Sequence, residues 1–151
     1  MKRFAQYGLL VVVAILGVAG TAMAADHPDE CTMKTLRGTY VFAATGHNIV
    51  AGVAQPKAIV EVIEFDGTGT LSAPTATRSL NGVIARALVG TGGYTVEASC
   101  IGTITFDGPG PTFDIFFSPG GEKVWLIQTT PNTVFQGTAT RVSAGPLQDQ
   151  D

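Results

Sequence analysis

The chain has 151 residues, with 9 Lys and Arg against 12 Asp and Glu for a net charge of −3. That balance excludes the positive field that nucleic acids and anionic lipid surfaces require of a partner. Nineteen glycines and eight prolines are scattered along it, so no stretch of ten residues keeps a helical apolar period without a breaker, which excludes a helical bundle.

The first 24 residues have the three parts of an export signal. Lys2 and Arg3 supply the positive start, Leu9 to Val18 is a short apolar run, and Ala22-Met23-Ala24 places small residues for cleavage before Ala25. A membrane anchor needs about 20 apolar residues and a following stop, whereas the sequence continues as ADHPDE. No cysteine lies just after the small-residue site, which argues against a lipoprotein. The expectation is an exported protein, periplasmic or extracellular, with no integral membrane span once residues 1–24 are removed.

Cleavage leaves 127 residues and, without Lys2 and Arg3, a net charge of −5. That length suits one domain with its own core. The expected organisation is an N-terminal extension over 25–35, a barrel domain over 36–142 and a disordered tail over 143–151.

Cys31 and Cys100 are the only cysteines, and an even pair in an exported chain is read as one disulfide. It would close a loop of about 70 residues, worth roughly 4 kcal/mol in the chain-entropy model. With His27 and His47 the only histidines, no zinc-type spacing exists, and neither a metal nor another cofactor is expected.

Beyond Thr35 the chain reads as short strands: Gly38–Thr45, Lys57–Phe65, Gly69–Arg78, Gly82–Val89, Gly93–Ala98, Gly102–Phe106, Thr112–Phe117, Lys123–Thr129 and Val134–Val142. Several alternate cleanly. Phe113, Ile115 and Phe117 share one side of TFDIFF, and Val124 and Leu126 oppose Trp125 and Ile127. Such strands, closely spaced and without crossover helices, predict an all-β fold: a single antiparallel up-and-down β-barrel of about eight strands, or else a sandwich.

Two of these strands end in the same tripeptide, Phe65-Asp66-Gly67 and Phe106-Asp107-Gly108. Asp bonds its own local backbone and Gly accepts positive φ, so Asp-Gly after alternating apolar residues is read as a turn and not as a catalytic aspartate. Asn81-Gly82 is a third hairpin signal of this kind.

The strand-turn units LRGTYVF (36–42), EFDGTGTL (64–71), GGYTVEASCIGTITF (92–106) and FQGTATR (135–141) resemble those of small exported bacterial proteins of the allene oxide cyclase barrel-like family, among the calycin-type barrels. The resemblance implies a barrel and, by analogy with family cyclases, an apolar interior able to shape a substrate. No catalytic residue of the family matches here position by position.

Chemistry-bearing side chains are few. In KAIVEVIEFD, Glu61 shares a face with Ile59, Ile63 and Phe65, while Glu64 shares the other with Val60 and Val62. The bulkier set marks the inner face, so Glu61 is the expected interior carboxylate. Glu61 and Glu64 are the acid-base candidates. Arg78 and Arg86 flank the Asn81-Gly82 turn, either one a counter-ion for Glu61. Tyr40, Tyr94 and Trp125, with Glu61 and Arg86, are the candidate ligand-binding residues, and His47 reads as a surface residue in the loop GHNIVAG. Three functions follow: a module binding a small hydrophobic molecule or an envelope protein; a cofactor-free cyclase or isomerase acting on an apolar substrate in the barrel; or a purely structural envelope protein.

Overall fold

A computed structural model describes residues 30–145, so the export signal and residues 146–151 of the expected tail lie outside the described residues. Eight strands are described: β1 (Gly38–Val50), β2 (Val53–Phe65), β3 (Thr70–Leu80), β4 (Val83–Val96), β5 (Ile101–Phe106), β6 (Thr112–Phe117), β7 (Lys123–Gln128) and β8 (Thr133–Ser143). Each is antiparallel to its neighbours, and β8 returns to β1, closing a barrel in sequence order. The alternation in sequence is the cause. Phe113, Ile115, Phe117, Val124 and Leu126 are buried, while Phe116, Trp125 and Ile127 face out.

The turn chemistry lies where the dipeptides place it. Asn81 and Gly82 take φ of 49° and 82°, the positive pair that a two-residue hairpin turn needs. Ala51 and Gly52 do the same at 50° and 80°, which corrects the reading of GHNIVAG as a loop. His47 is in β1, exposed, opposite Pro56 of β2 and Val134 of β8. Gly46 is there for close approach, since a Cβ on it would collide with the carbonyl oxygen of Val134. A similar misreading divided β4 in two. Gly92 continues the strand opposite Phe106, and a Cβ there would strike the Thr105 carbonyl oxygen.

The two Phe-Asp-Gly copies sit at opposite ends of the barrel and work differently. At the β2–β3 turn, Asp66 Oδ1 accepts from the N–H groups of Thr68 (2.6 Å), Gly69 (3.0 Å) and Thr70 (3.0 Å). The Thr68 hydroxyl also donates to the carboxylate, and these bonds hold its pKa down at about 2. At the β5–β6 turn, Asp107 Oδ2 accepts from the Thr91 hydroxyl of β4 at 2.6 Å. The expectation of a local backbone bond holds for Asp66 and is corrected for Asp107, whose side chain ties its turn to the neighbouring strand.

One end of the barrel is plugged by the N-terminal segment. Met33–Leu36 form a short 3-10 helix that drops Leu36 into the core at 0% exposure. Phe65 sits edge-on between Tyr40 (5.2 Å) and Tyr94 (4.9 Å). The Tyr94 hydroxyl donates to the Met33 carbonyl (3.2 Å) and the Tyr40 hydroxyl to the Gly121 carbonyl (2.5 Å), while Arg141 Nε donates to Tyr40 (3.0 Å). The Cys31–Cys100 disulfide, with a Cα separation of 5.0 Å, ties this plug to the β4–β5 turn. Disulfide-bonded cysteines suit a non-cytoplasmic environment.

Two stability predictions follow from these contacts. Gly67→Val should cost about 2–3 kcal/mol in urea denaturation, because Gly67 has φ +82° and its Cβ would meet the Arg37 side chain at 3.1 Å. Gly108→Val, at φ +63° with nothing within 4 Å, should cost only about 1–2 kcal/mol. Equal losses would show that Arg37 yields freely. Replacing both Cys31 and Cys100 with Ala should lower stability by about 3–4 kcal/mol, given the 69-residue separation; a loss under about 1 kcal/mol would contradict the loop-entropy account.

Candidate functional site

The half of the barrel opposite the plug is hollow. Beneath it Ile63, Ile104, Ile115 and Leu126 fill the interior at no more than 4% exposure. Above them lies a cavity of about 700 Å³ that opens between the hairpin turns at that end, within the usual size range of small-molecule sites. Phe42, Ile59, Leu88, Phe106, Phe113 and Phe135 form its apolar wall. Phe113 anchors the aromatic side, edge-on to Phe42 at 6.0 Å and to Phe106 at 6.3 Å.

Three charged side chains enter this wall from two adjacent strands. Lys57 and Glu61 come from the inner face of β2, and Arg78 comes from β3. Burial pushes the Glu61 carboxyl from its ordinary 4.5 up to about 7, with the positive charge of Lys57 pulling the other way. Burial also lowers the Lys57 pKa, repulsion from Arg78 lowers it further, and Glu61 offsets part of that. Lys57 donates a hydrogen bond to Gln128 Oε1 (3.1 Å) and lies 4.1 Å above the Phe135 ring centroid. Neither the Glu61 carboxylate nor the Arg78 guanidinium makes a hydrogen bond or an ion pair with another described residue. Asn48 Oδ1, also on the cavity wall, is buried with no hydrogen-bond partner among the described residues.

Arg78 faces inward because β3 is irregular. The ladders to β2 and β4 both slip beside Pro74, so that the inward set changes from Leu71 and Ala73 to Ala76 and Arg78. The β4 strand has its own slip at Ala87, which takes φ of 52°. Past that point Leu88 and Gly90 line the cavity and Val89 is 79% exposed.

The candidates drawn from sequence therefore separate. Glu61 is in the cavity, and Glu64 is on the outer face, accepting a hydrogen bond from the Ser72 hydroxyl at 3.3 Å. Four of the proposed cavity residues are elsewhere. Tyr40 and Tyr94 belong to the plug, because their hydroxyls are committed to backbone carbonyls there. Arg86 is exposed, since it precedes the slip at Ala87 on the outward side. Trp125 is 46% exposed on the outer wall, where Lys123 lies 5.4 Å from its ring centroid. Lys57, Gln128 and Asn48 were not foreseen. Lys57 was within reach of sequence reasoning, because it shares strand parity with Ile59 and Glu61.

Compared with protein-family models the chain matches none, and no curated protein matches it. Fold and site together define the class: a closed eight-stranded antiparallel barrel, plugged at one end and holding at the other a cavity with aromatic and charged groups in its wall.

The Glu61 environment makes stability depend on pH. Its folded pKa is above the ordinary value, so the folded state binds more protons between pH 4.5 and about 7. The contribution is full below 4.5 and is lost as pH rises through 7. Glu61→Gln, neutral at every pH, should shrink the fall in urea midpoint between pH 5 and pH 8 by the equivalent of about 1–2 kcal/mol, a half-exposed fraction of the full shift. An unchanged fall would mean that the carboxylate is well solvated.

Proposed function

We propose that this is an exported barrel protein that binds a small hydrophobic molecule in the open half of its interior. The observation that carries the reading is the cavity itself: about 700 Å³, with Phe42, Phe106, Phe113 and Phe135 in its wall. A domain that merely had to be stable would gain by filling that volume, since voids cost packing energy. The export signal read at residues 1–24 and the Cys31–Cys100 disulfide support a periplasmic or extracellular setting. The strand-turn resemblance to allene oxide cyclase barrel-like proteins supports the same reading, because a barrel with an apolar interior is what it implies.

A second reading, a cofactor-free cyclase or isomerase, is favoured by one observation. Glu61 has a pKa of about 7 at the wall of an apolar cavity, the condition under which a carboxyl can act as general acid or base near neutral pH. The uncharged outer row Phe116–Trp125–Thr138–Ala43–Val60 favours a protein partner as an addition to either reading.

Binding is tested with N-phenyl-1-naphthylamine, a neutral apolar dye that fluoresces when shielded from water. The wild-type protein should bind it with micromolar affinity. Gly90→Leu should weaken that at least tenfold, because Gly90 lines the cavity and its Cβ would sit at ordinary contact from Phe106 (3.4 Å), directing the side chain into the void. Undiminished binding by a folded Gly90→Leu protein would move the ligand off the cavity. Native mass spectrometry of protein taken from its own periplasm should show a retained small molecule.

A further inference from the structure

The apolar wall accounts for the body of a ligand but not for the charges set into it. Lys57, Arg78 and Glu61 line one cavity, and within its strand wall two cations stand beside one carboxylate, the other lining carboxylate, Asp107, being exposed at the rim and bonded to the Thr91 hydroxyl. The Glu61 carboxylate does not neutralise the cations by contact, since Glu61 and Arg78 form no ion pair with a described residue. Lys57 donates to the neutral Gln128 amide and lies over the face of Phe135, with Glu61 acting on it through space and without a contact ion pair among the described residues. A half-buried guanidinium with no ion pair among the described residues is a site where an anion would supply the counter-charge. Asn48 Oδ1 is a further polar atom on the same wall without a described partner.

Resting on the reading of the cavity as an apolar-ligand site, we propose that the ligand is an apolar molecule with a single anionic head group, that the head sits against Lys57 and Arg78, and that Glu61 takes up a proton as it enters. The two halves of the inference are one electrostatic argument. An anion brought into the cavity meets Glu61 as a like charge, so it favours the protonated carboxyl, and by reciprocity the protonated carboxyl favours the anion. The proton comes from solvent and rests on a carboxylate oxygen of Glu61; no bond of the ligand is made or broken. The resting pKa of about 7 places this exchange at neutral pH.

The groups facing Glu61 are few. Lys57 comes from its own strand, Arg78 from β3, and Asp107 from the β5–β6 turn at the rim, where it is held by Thr91. Among the described residues no other titratable side chain lines the cavity: β1, β7 and β8 contribute Asn48, Gln128 and Phe135, β4 contributes Leu88 and Gly90, and β6 contributes Phe113. His47 and Arg86 are on the outer face. The response to pH near 7 is therefore assigned to Glu61.

The test is displacement of N-phenyl-1-naphthylamine by dodecanoate and by dodecanol, both below their aggregation limits, from pH 6 to pH 8.5. Dodecanoate stays ionised throughout this range, so its own titration does not enter. At pH 6 it should displace the dye at least tenfold more tightly than dodecanol, and the preference should shrink several-fold by pH 8.5. Dodecanol affinity should stay level. In Glu61→Gln the preference should persist but lose its pH dependence, and in Lys57→Met or Arg78→Met it should fall towards unity with dodecanol binding retained. Calorimetry of dodecanoate binding at pH 7.5 in buffers of different ionisation enthalpy should register net proton uptake in the wild type and none in Glu61→Gln. Equal displacement by the two compounds, or a preference indifferent to pH in the wild type, would overturn this inference and leave the apolar-ligand reading standing. Failure of both compounds and of the dye to bind would overturn the two together.

Discussion

Everything in this protein depends on the pairing of β1 with β8. Ten residues of β1, from Thr39 to Asn48, pair with β8, with one slip between Thr39 and Tyr40, while the same strand pairs with β2 on its other side. Without that closure the sheet would have two free edges and a single apolar face exposed to water, a condition that invites aggregation. With it, the inward side chains enclose a volume, and what happens in that volume is decided by their sizes. Towards one end Leu36, Tyr40, Ile63 and Phe65 fill it; towards the other the strands continue but the side chains do not reach across.

Closure also sets what charge does inside. Lys57, Glu61 and Arg78 would be unremarkable on a solvated face, each hydrated by water and screened by dissolved ions. In the ring they share one partly enclosed space, where burial disfavours the charge of Glu61 and of Lys57 alike and moves their pKa values in opposite directions. The plug at the far end contributes to this, because the Cys31–Cys100 bond and the Tyr40–Arg141 contact leave the barrel with one open end. Hydroxyl groups that a reader of the sequence would give to a ligand are occupied in holding the end shut. Tyr40 shows the exchange most plainly, since its ring is core and its hydroxyl bridges Gly121 and Arg141.

The twofold use of Phe-Asp-Gly illustrates how far local chemistry reaches. In both copies the glycine takes a positive φ, at Gly67 and at Gly108, which follows from the residue type. The phenylalanines, however, have different employments: Phe65 is locked between two tyrosines in the plug, and Phe106 is part of the cavity wall. Three identical residues thus pack the plug at one end and line the cavity at the other, because their strands run in opposite directions through the barrel.

Most of the strands, their antiparallel sense, the hairpin at Asn81-Gly82 and the pairing of Cys31 with Cys100 were legible in the sequence, because alternation, turn dipeptides and a lone cysteine pair all act over short range or admit one solution. The sequence also determined that Glu61 and not Glu64 shares a face with Ile63 and Phe65, since β2 keeps an unbroken register with β1 from Glu61 to Phe65 and the slip opposite it belongs to β3. It misplaced GHNIVAG and divided β4, because glycine marks a turn and a close approach of two backbones with the same letter. Only the tertiary structure decided that Arg78 is inside and Arg86 outside. Counting by twos from Leu71 would put Arg78 on the outer wall; the slip beside Pro74 reverses it, and the slip at Ala87 does the same for Leu88. Such slips are settled by how three strands share hydrogen bonds across the sheet. The meeting of Lys57 with Gln128, 71 residues apart, follows only from the curvature of a closed ring, which no local pattern encodes.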